Sequence, residues 1–222
     1  MSAGLRIIKF RKRVELKSGN DTYSVYDPEK IFVNGYWDYM GVFPALNNSE
    51  KVLLLGLGCG TISRIILNYF PAAKIDGVDN DADIIETGKK HFALGEQNVN
   101  IFINDAEKFL QDSVSKYDLI LLDTFVELDI PQHLSTADFF KLTKSRLSEK
   151  GIFSINVAKS ELAEKFALFL SKVFKNVYVL TAFNTLNTLI VTAERELDFS
   201  LLTKFEELGV FEAKELTKNT RT

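Results

Sequence analysis

Chemistry in this 222-residue chain is concentrated at the ends of apolar runs. In "LLLGLGCGTISRIIL" (53–67), Gly56, Gly58 and Gly60 interrupt such a run at alternate positions. Glycine weakens both a strand and a helix, so this spacing implies a tight turn and close approach of a ligand to the main chain. Asp79 closes "AKIDGVD", Asp105 follows "VNIFIN", and Asp123 closes "YDLILLD". A carboxylate there has no packing reason to be present, so each is a candidate for recognition or proton transfer.

The glycines read G-x-G-x-G with Thr61 next, which misses the G-x-G-x-x-G dinucleotide motif, and no G-x-x-x-x-G-K-[ST] loop occurs. Asp79 follows Gly56 by 23 residues, near the ~20-residue offset at which an acidic side chain takes a ribose hydroxyl pair. Its other role would be a helix cap or solvated turn, although Asp81 and Asp83 are better placed to cap. Asp105 can accept from an exocyclic amine such as that of adenine, or cap the helix beginning at Ala106, and the two roles can coexist. Asp123 can orient a cationic amine or take its proton. Asp123, Glu127 and Asp129 are oxygen ligands, but nothing fixes them on one face, so no metal is expected. His133, in "DIPQHL", is either a base near an acceptor or a surface or capping group. His91 lies on a helix and reads as structural.

These positions need a scaffold that aligns strand ends. "KVLLLG" is a continuous apolar run, the mark of a strand buried on both faces. From Lys51 onward strands and helices alternate: "TISRIILNYF", "AKIDGVD", "ADIIETGKKHFAL", "VNIFIN", "AEKFLQDS", "YDLILLD", "TADFFKLTKSRLSEKG", "IFSINV" and "SELAEKFALFLSKVF". Ser135 and Asp138 have capping-box spacing before the fourth of these helices. "NVYVLTA" and "TLIVTAE", joined only by "FNTLN", predict an antiparallel pair, and a short helix and frayed tail follow. The pattern predicts a doubly wound α/β sheet, whose ligands bind at the carboxyl ends of strands near the switch in strand order. The first 48 residues differ: "RIIKFRKRVEL", "TYSVYD" and "KIFVNG" read as short antiparallel strands. The expected division is an N-terminal β-hairpin region, 1–48, and a Rossmann-like domain, 49–222. The basic run Lys9, Arg11, Lys12 and Arg13 protects a strand edge or binds an anion.

Composition is that of a globular protein, 46% hydrophobic and 26% charged, with net charge −3, which argues against a nucleic-acid partner. One Cys and two His exclude an internal disulfide and speak against a Cys/His zinc site. The N-terminus has no long apolar stretch and no segment approaches the ~20 apolar residues of a membrane helix. The expectation is a cytoplasmic protein with no membrane partner.

"VLLLGLGCGTISRIIL…IDGVDND…NDAEKFL…YDLILLDTF…IPQHLSTADFFKLTKSRLSEKGIFSINV" resembles the spermidine synthase-like (polyamine aminopropyltransferase-like) family of the class I S-adenosylmethionine-dependent methyltransferase fold. The resemblance implies an S-adenosyl donor, S-adenosylmethionine or its decarboxylated form, held as a co-substrate without metal. It sets Gly56, Gly58, Cys59 and Gly60 against the donor, Asp79 on the ribose, Asp105 with Ala106 at the adenine, and Asp123 beside a small amine acceptor, a polyamine among the candidates. It further implies a homodimer built by the N-terminal β region. Tyr36, Trp37, Asp38 and Tyr39 would line an acceptor pocket or pack between domains. The chain departs from the family where an Asp is replaced by Cys59, and where a second Asp beyond Asp123 is replaced by Val126. The expected function is alkylation of a small acceptor; the alternatives are methyl transfer to another small molecule and a nucleoside-binding oligomer without chemistry.

Overall fold

The computed structural model describes residues 4–125 and 129–216, so Val126 and Glu127 lie outside the described residues. Strands β1 (Leu5–Phe10), β2 (Arg13–Ser18) and β3 (Asp21–Tyr26) form a three-stranded antiparallel sheet. "RIIKFRKRVEL" is therefore a hairpin rather than one strand, turning where Arg11 adopts φ 54°. "KIFVNG" is not a strand. Asp38, on helix α1 (Tyr36–Val42), accepts the N–H groups of Val33, Asn34 and Gly35 at 2.9, 2.7 and 3.2 Å. Donors that a strand would need are thus folded onto a helix start.

Alternation then runs through β4 (Lys51–Leu55), α2 (Thr61–Tyr69), β5 (Lys74–Asp79), α3 (Ala82–His91), β6 (Val99–Ile103), α4 (Ala106–Asp112) and β7 (Tyr117–Leu122). It continues with α5 (Ala137–Ser145), β8 (Leu147–Val157), α6 (Ala163–Leu170), β9 (Asn176–Ala182), β10 (Thr188–Ala193) and β11 (Phe211–Glu215). The second sheet has eight strands in the order β11-β9-β10-β8-β7-β4-β5-β6. From β8 to β6 the pairings are parallel; β10 joins β8 and β9, and β11 joins β9, antiparallel. This is the Rossmann-like methyltransferase architecture. Val52 and Leu54 enter the core on one face of the sheet, and Leu53 and Leu55 enter the other, so β4 is dry on both sides.

Three further expectations are corrected. Thr136, not Ser135, caps α5, its hydroxyl accepting from the Phe139 N–H at 3.1 Å. That helix stops at Ser145 because 147–150 already extends β8. The supposed tail supplies β11 instead, where Phe211 packs edge-on against the Tyr39 ring with centroids 5.8 Å apart. Among the described residues no helix is long and apolar enough to cross a membrane.

Winding leaves β4 toward β5 and β6 on one side, and returns to β7 and β8 on the other. The order reverses between β4 and β7, and a crevice opens at such a point. Gly56 follows β4 there and Asp123 follows β7.

Candidate active site

The turn after β4 is held by its own backbone and by neighbouring strands. Gly56, Gly58 and Gly60 have φ of 92°, 56° and 87°, a region L side chains rarely adopt. Gly56 is also sterically closed: a Cβ would stand 2.2 Å from the Asp123 carbonyl oxygen. The N–H groups of Gly56 and Leu57 donate to the Val78 carbonyl at 2.8 and 3.0 Å, and that of Gly60 to the Leu57 carbonyl at 3.1 Å. Gly58 N–H donates to Asp79 Oδ2 at 2.8 Å, and Cys59 N–H to Ser24 Oγ at 3.2 Å. Every N–H of the turn has a protein acceptor. Unlike a phosphate loop, whose amides point at an anion, this turn offers a ligand close contact with a shaped main-chain surface.

Only the main chain of Cys59 belongs to that surface. Its side chain is buried with Val14, Leu16 and Phe92, and its Sγ lies 3.7 Å from the Ile84 carbonyl. Burial pushes the thiol up to about 12, so it is a neutral apolar group near pH 7. Ser24, which the sequence did not flag, brings the N-terminal sheet to the site. It is buried, and the adjacent Val25 exchanges two 3.0 Å hydrogen bonds with the Thr61 hydroxyl.

Asp79 closes β5 one strand away. Its Oδ2 takes the Gly58 N–H and its Oδ1 the Asp81 N–H at 3.0 Å, leaving each oxygen a second lone pair for a ligand hydroxyl. Burial raises its carboxyl above the ordinary range, against the hydrogen bonds from Asp81 and Gly58. Asp81 caps α3. Asp105 caps α4, with Oδ1 accepting from the Lys108 N–H at 3.0 Å, and Ala106 is the buried first residue of that helix. Its other oxygen meets His133 Nε2 at 2.9 Å. Partial burial would raise Asp105, but the Lys108 N–H and His133 together hold it below the usual carboxylate range. His133 thus stands with Asp105, while the Asp123 carboxylate has other partners.

Those partners are Tyr36, whose hydroxyl donates to Oδ2 at 3.1 Å, and Asn156, whose amide donates to Oδ1 at 2.9 Å. Burial pushes Asp123 up to about 6; Asn156 and Tyr36 oppose the rise and the nearby Asp79 adds to it. The carboxylate is largely ionised near pH 7 yet basic enough to take a proton. Burial, followed by the Asp123 charge, drives the Tyr36 phenol well above its ordinary value, which keeps it a donor. Trp37 packs against Tyr36 with the rings tilted by 34° and their centroids 4.4 Å apart. Tyr39 is fully buried, and its hydroxyl donates to Asn184 Oδ1 at 3.0 Å. Asp38 is directed to its own helix start, as described above. Among the four residues 36–39, the structure brings Tyr36 directly to Asp123.

Asn156 also escaped the sequence reading, although its signal was present. It is a polar residue near the end of the apolar run "IFSINV", the same feature that marked Asp123. Asp129 pairs with Lys159 Nζ, both oxygens at 2.8 Å. Among the described residues no group of three His, Cys, Asp or Glu side chains is gathered for a metal.

The chain as a whole resembles known proteins. The spermine/spermidine synthase domain matches residues 35–203. A probable polyamine aminopropyl transferase of Bifidobacterium longum is 28% identical over 165 residues, covering 72% of this chain and 37% of that protein. This chain spans less than half the length of that relative. A probable spermidine synthase from Corynebacterium glutamicum superposes with a TM-score of 0.77 at 18% identity, covering 95% of this chain and 86% of the other. A spermidine synthase in complex with the transition state analogue AdoDATO superposes at 0.69 with 19% identity, covering 94% and 78%.

Proposed function

The chain belongs to the spermine/spermidine synthase domain family, and on that premise we propose that it is a transferase alkylating a small amine with an S-adenosyl donor. The observation that carries this reading is Asp123: a carboxylate at the switch point, tuned to about 6, beside the glycine turn. In the proposed reaction the amine nitrogen attacks a carbon bonded to the donor's sulfonium sulfur. A C–N bond forms, the C–S bond breaks, and its electron pair leaves on a neutral thioether. That leaving group needs no acid, so the protein's work is alignment and removal of one proton from the new ammonium. Asp123 takes that proton, with Tyr36 and Asn156 fixing its two oxygens. The glycine turn accommodates the nucleoside, Asp79 its ribose hydroxyls, and Asp105 with Ala106 the adenine. Trp37 shapes the acceptor side behind Tyr36.

Aminopropyl transfer from decarboxylated S-adenosylmethionine is favoured by the family and by the names of the relatives. Methyl transfer from S-adenosylmethionine is favoured by Cys59, an apolar buried group where aminopropyltransferases carry an acid beside the donor amine. Calorimetric titration with the two donors and with methylthioadenosine separates these readings. Tighter binding of the decarboxylated donor is the expected result, preference for the intact amino-acid tail selects methylation, and binding of none removes the donor site. We extend the proposal to a cytoplasmic homodimer with 1–48 as the associating region. Ile8 and Phe10, exposed on the edge strand β1, support it, since an uncovered apolar edge favours pairing. A monomer in sedimentation would end that part.

A further inference from the structure

Behind Asp123 lies a chain of side chains whose direction is fixed from the carboxylate end. An ionised carboxylate only accepts, so Asn156 must present its NH2 to Asp123 Oδ1, at 2.9 Å. Its carbonyl then faces backward and accepts from Asn187 Nδ2, also at 2.9 Å. Asn187 Oδ1 accepts in turn from the Thr185 hydroxyl at 3.1 Å, and Thr185 Oγ1 receives the Asn187 backbone N–H at 3.2 Å. Each amide therefore has one allowed orientation. Asn156 is 1% exposed near the end of β8, where an unmatched amide would be costly. Asn187 sits one residue before β10 in the turn 183–187 that joins β9 to it. The same turn is anchored a second time: Asn184 accepts from the Tyr39 hydroxyl and donates to Asn34 Oδ1 at 2.9 Å.

We propose that Asn156 and Asn187 are positioning residues that transmit the fixed geometry of the 183–187 turn to Asp123 and hold its carboxylate ionised and ready to accept a proton. The catalytic half rests on the reading above, in which Asp123 takes the acceptor's proton. The groups facing Asp123 are Tyr36 from α1, Asn156 from β8 and, by its charge, Asp79 from β5. Tyr36 stays a neutral donor, so an uncharged change at position 187 reaches Asp123 through Asn156, whereas a new charge there also acts on Asp123 directly through its field.

The test is a carboxyl 13C NMR titration of the full chain, with the Asp123 signal assigned by its disappearance in Asp123→Asn. In Asn187→Asp the new group only accepts, so the Asn156 amide turns over and presents its carbonyl to Asp123. The Asp123 midpoint then rises by about one pH unit, with the field of the new carboxylate adding to the effect of the turned amide. Asn187→Leu, branched at Cγ like Asn but with neither a donor nor a charge, isolates the amide chain and gives a smaller rise of about half a unit. A folded variant of either kind whose Asp123 midpoint stays within about 0.2 unit of the parent overturns the proposal. With substrates in hand, the acid limb of kcat should follow the shifted midpoint. An acid limb that stays fixed while the midpoint moves removes Asp123 as the base and leaves the amide chain standing.

Discussion

The glycine turn 56–60 and the Asp123 network lie at the ends of adjacent strands, β4 and β7, and they are built by different means. Backbone dominates the turn. Its positive φ angles favour glycine, and its N–H groups are taken up by its own chain, by Val78, by Asp79 and by Ser24. Side chains dominate the network, where Asp123 is gripped by Tyr36, 87 positions away, and by Asn156, 33 away. A surface made of backbone gives shape and tolerates little change. A cluster made of side chains gives a tunable carboxylate, and tuning is what proton transfer needs.

This contrast can be broken at its sharpest point by Gly56→Ala. The added Cβ would meet the Asp123 carbonyl oxygen, which is backbone and cannot swing aside, at a φ unsuited to alanine. The expected outcome is a loss of about 4 kcal/mol or more of stability, seen as little folded protein in circular dichroism. A normally stable variant would show that the two strand ends are not locked together.

Asp123→Asn should separate the two regions functionally. Turnover is expected to fall by about 10²–10⁴, with calorimetric donor affinity kept within about threefold of the parent. Stability should move the other way. The folded value of Asp123, about 6, exceeds the usual 3.8, so the stability linked to this group is present below about pH 4 and is lost as pH rises through about 6. The amide variant lacks that loss, and should gain about 1–3 kcal/mol on the parent between about pH 4 and pH 8 in denaturant titrations. An unchanged pH slope would mean that the carboxylate is not raised by burial.

Ser24→Ala probes whether the N-terminal sheet is part of the turn. It strips the Cys59 N–H of its acceptor in a buried place, at a cost of about 1–2 kcal/mol. Donor affinity should weaken by about five- to tenfold with kcat retained. Equal loss of kcat and affinity would place Ser24 on the Asp123 side of the comparison. Cys59→Ala carries the smallest functional effect: turnover within about twofold of the parent. In the folded protein the thiol should resist alkylation near pH 8, because burial holds it at about 12. Rapid labelling would contradict its place in the apolar cluster.

How much of this was legible beforehand follows from the range of each interaction. The five parallel strands and the antiparallel closing pair announce themselves through runs such as "KVLLLG" and "YDLILLD", because dry strands must be continuously apolar. "FEAKE" is too short and too polar to announce β11, which exists because β9 offers it an edge. "KIFVNG" looks like a strand by composition, yet Asp38 gathers its amides into a helix start. Ser135 and Thr136 are both cap formers, with Ser slightly preferred by type, and only the entry of the chain into α5 chooses Thr136.

Local pattern alone dictates the α/β winding, the glycine turn and the carboxylates at the strand ends, since each rests on near neighbours in the chain or on a backbone conformation that favours glycine. What those groups do for one another is set by the packing of distant segments. It turned Cys59 into the apolar cluster with Phe92, set His133 on Asp105, and closed Tyr36 and Asn156 around Asp123. The physical reason is that hydrogen bonds and burial act over a few ångströms in space, between residues that the chain keeps tens of positions apart.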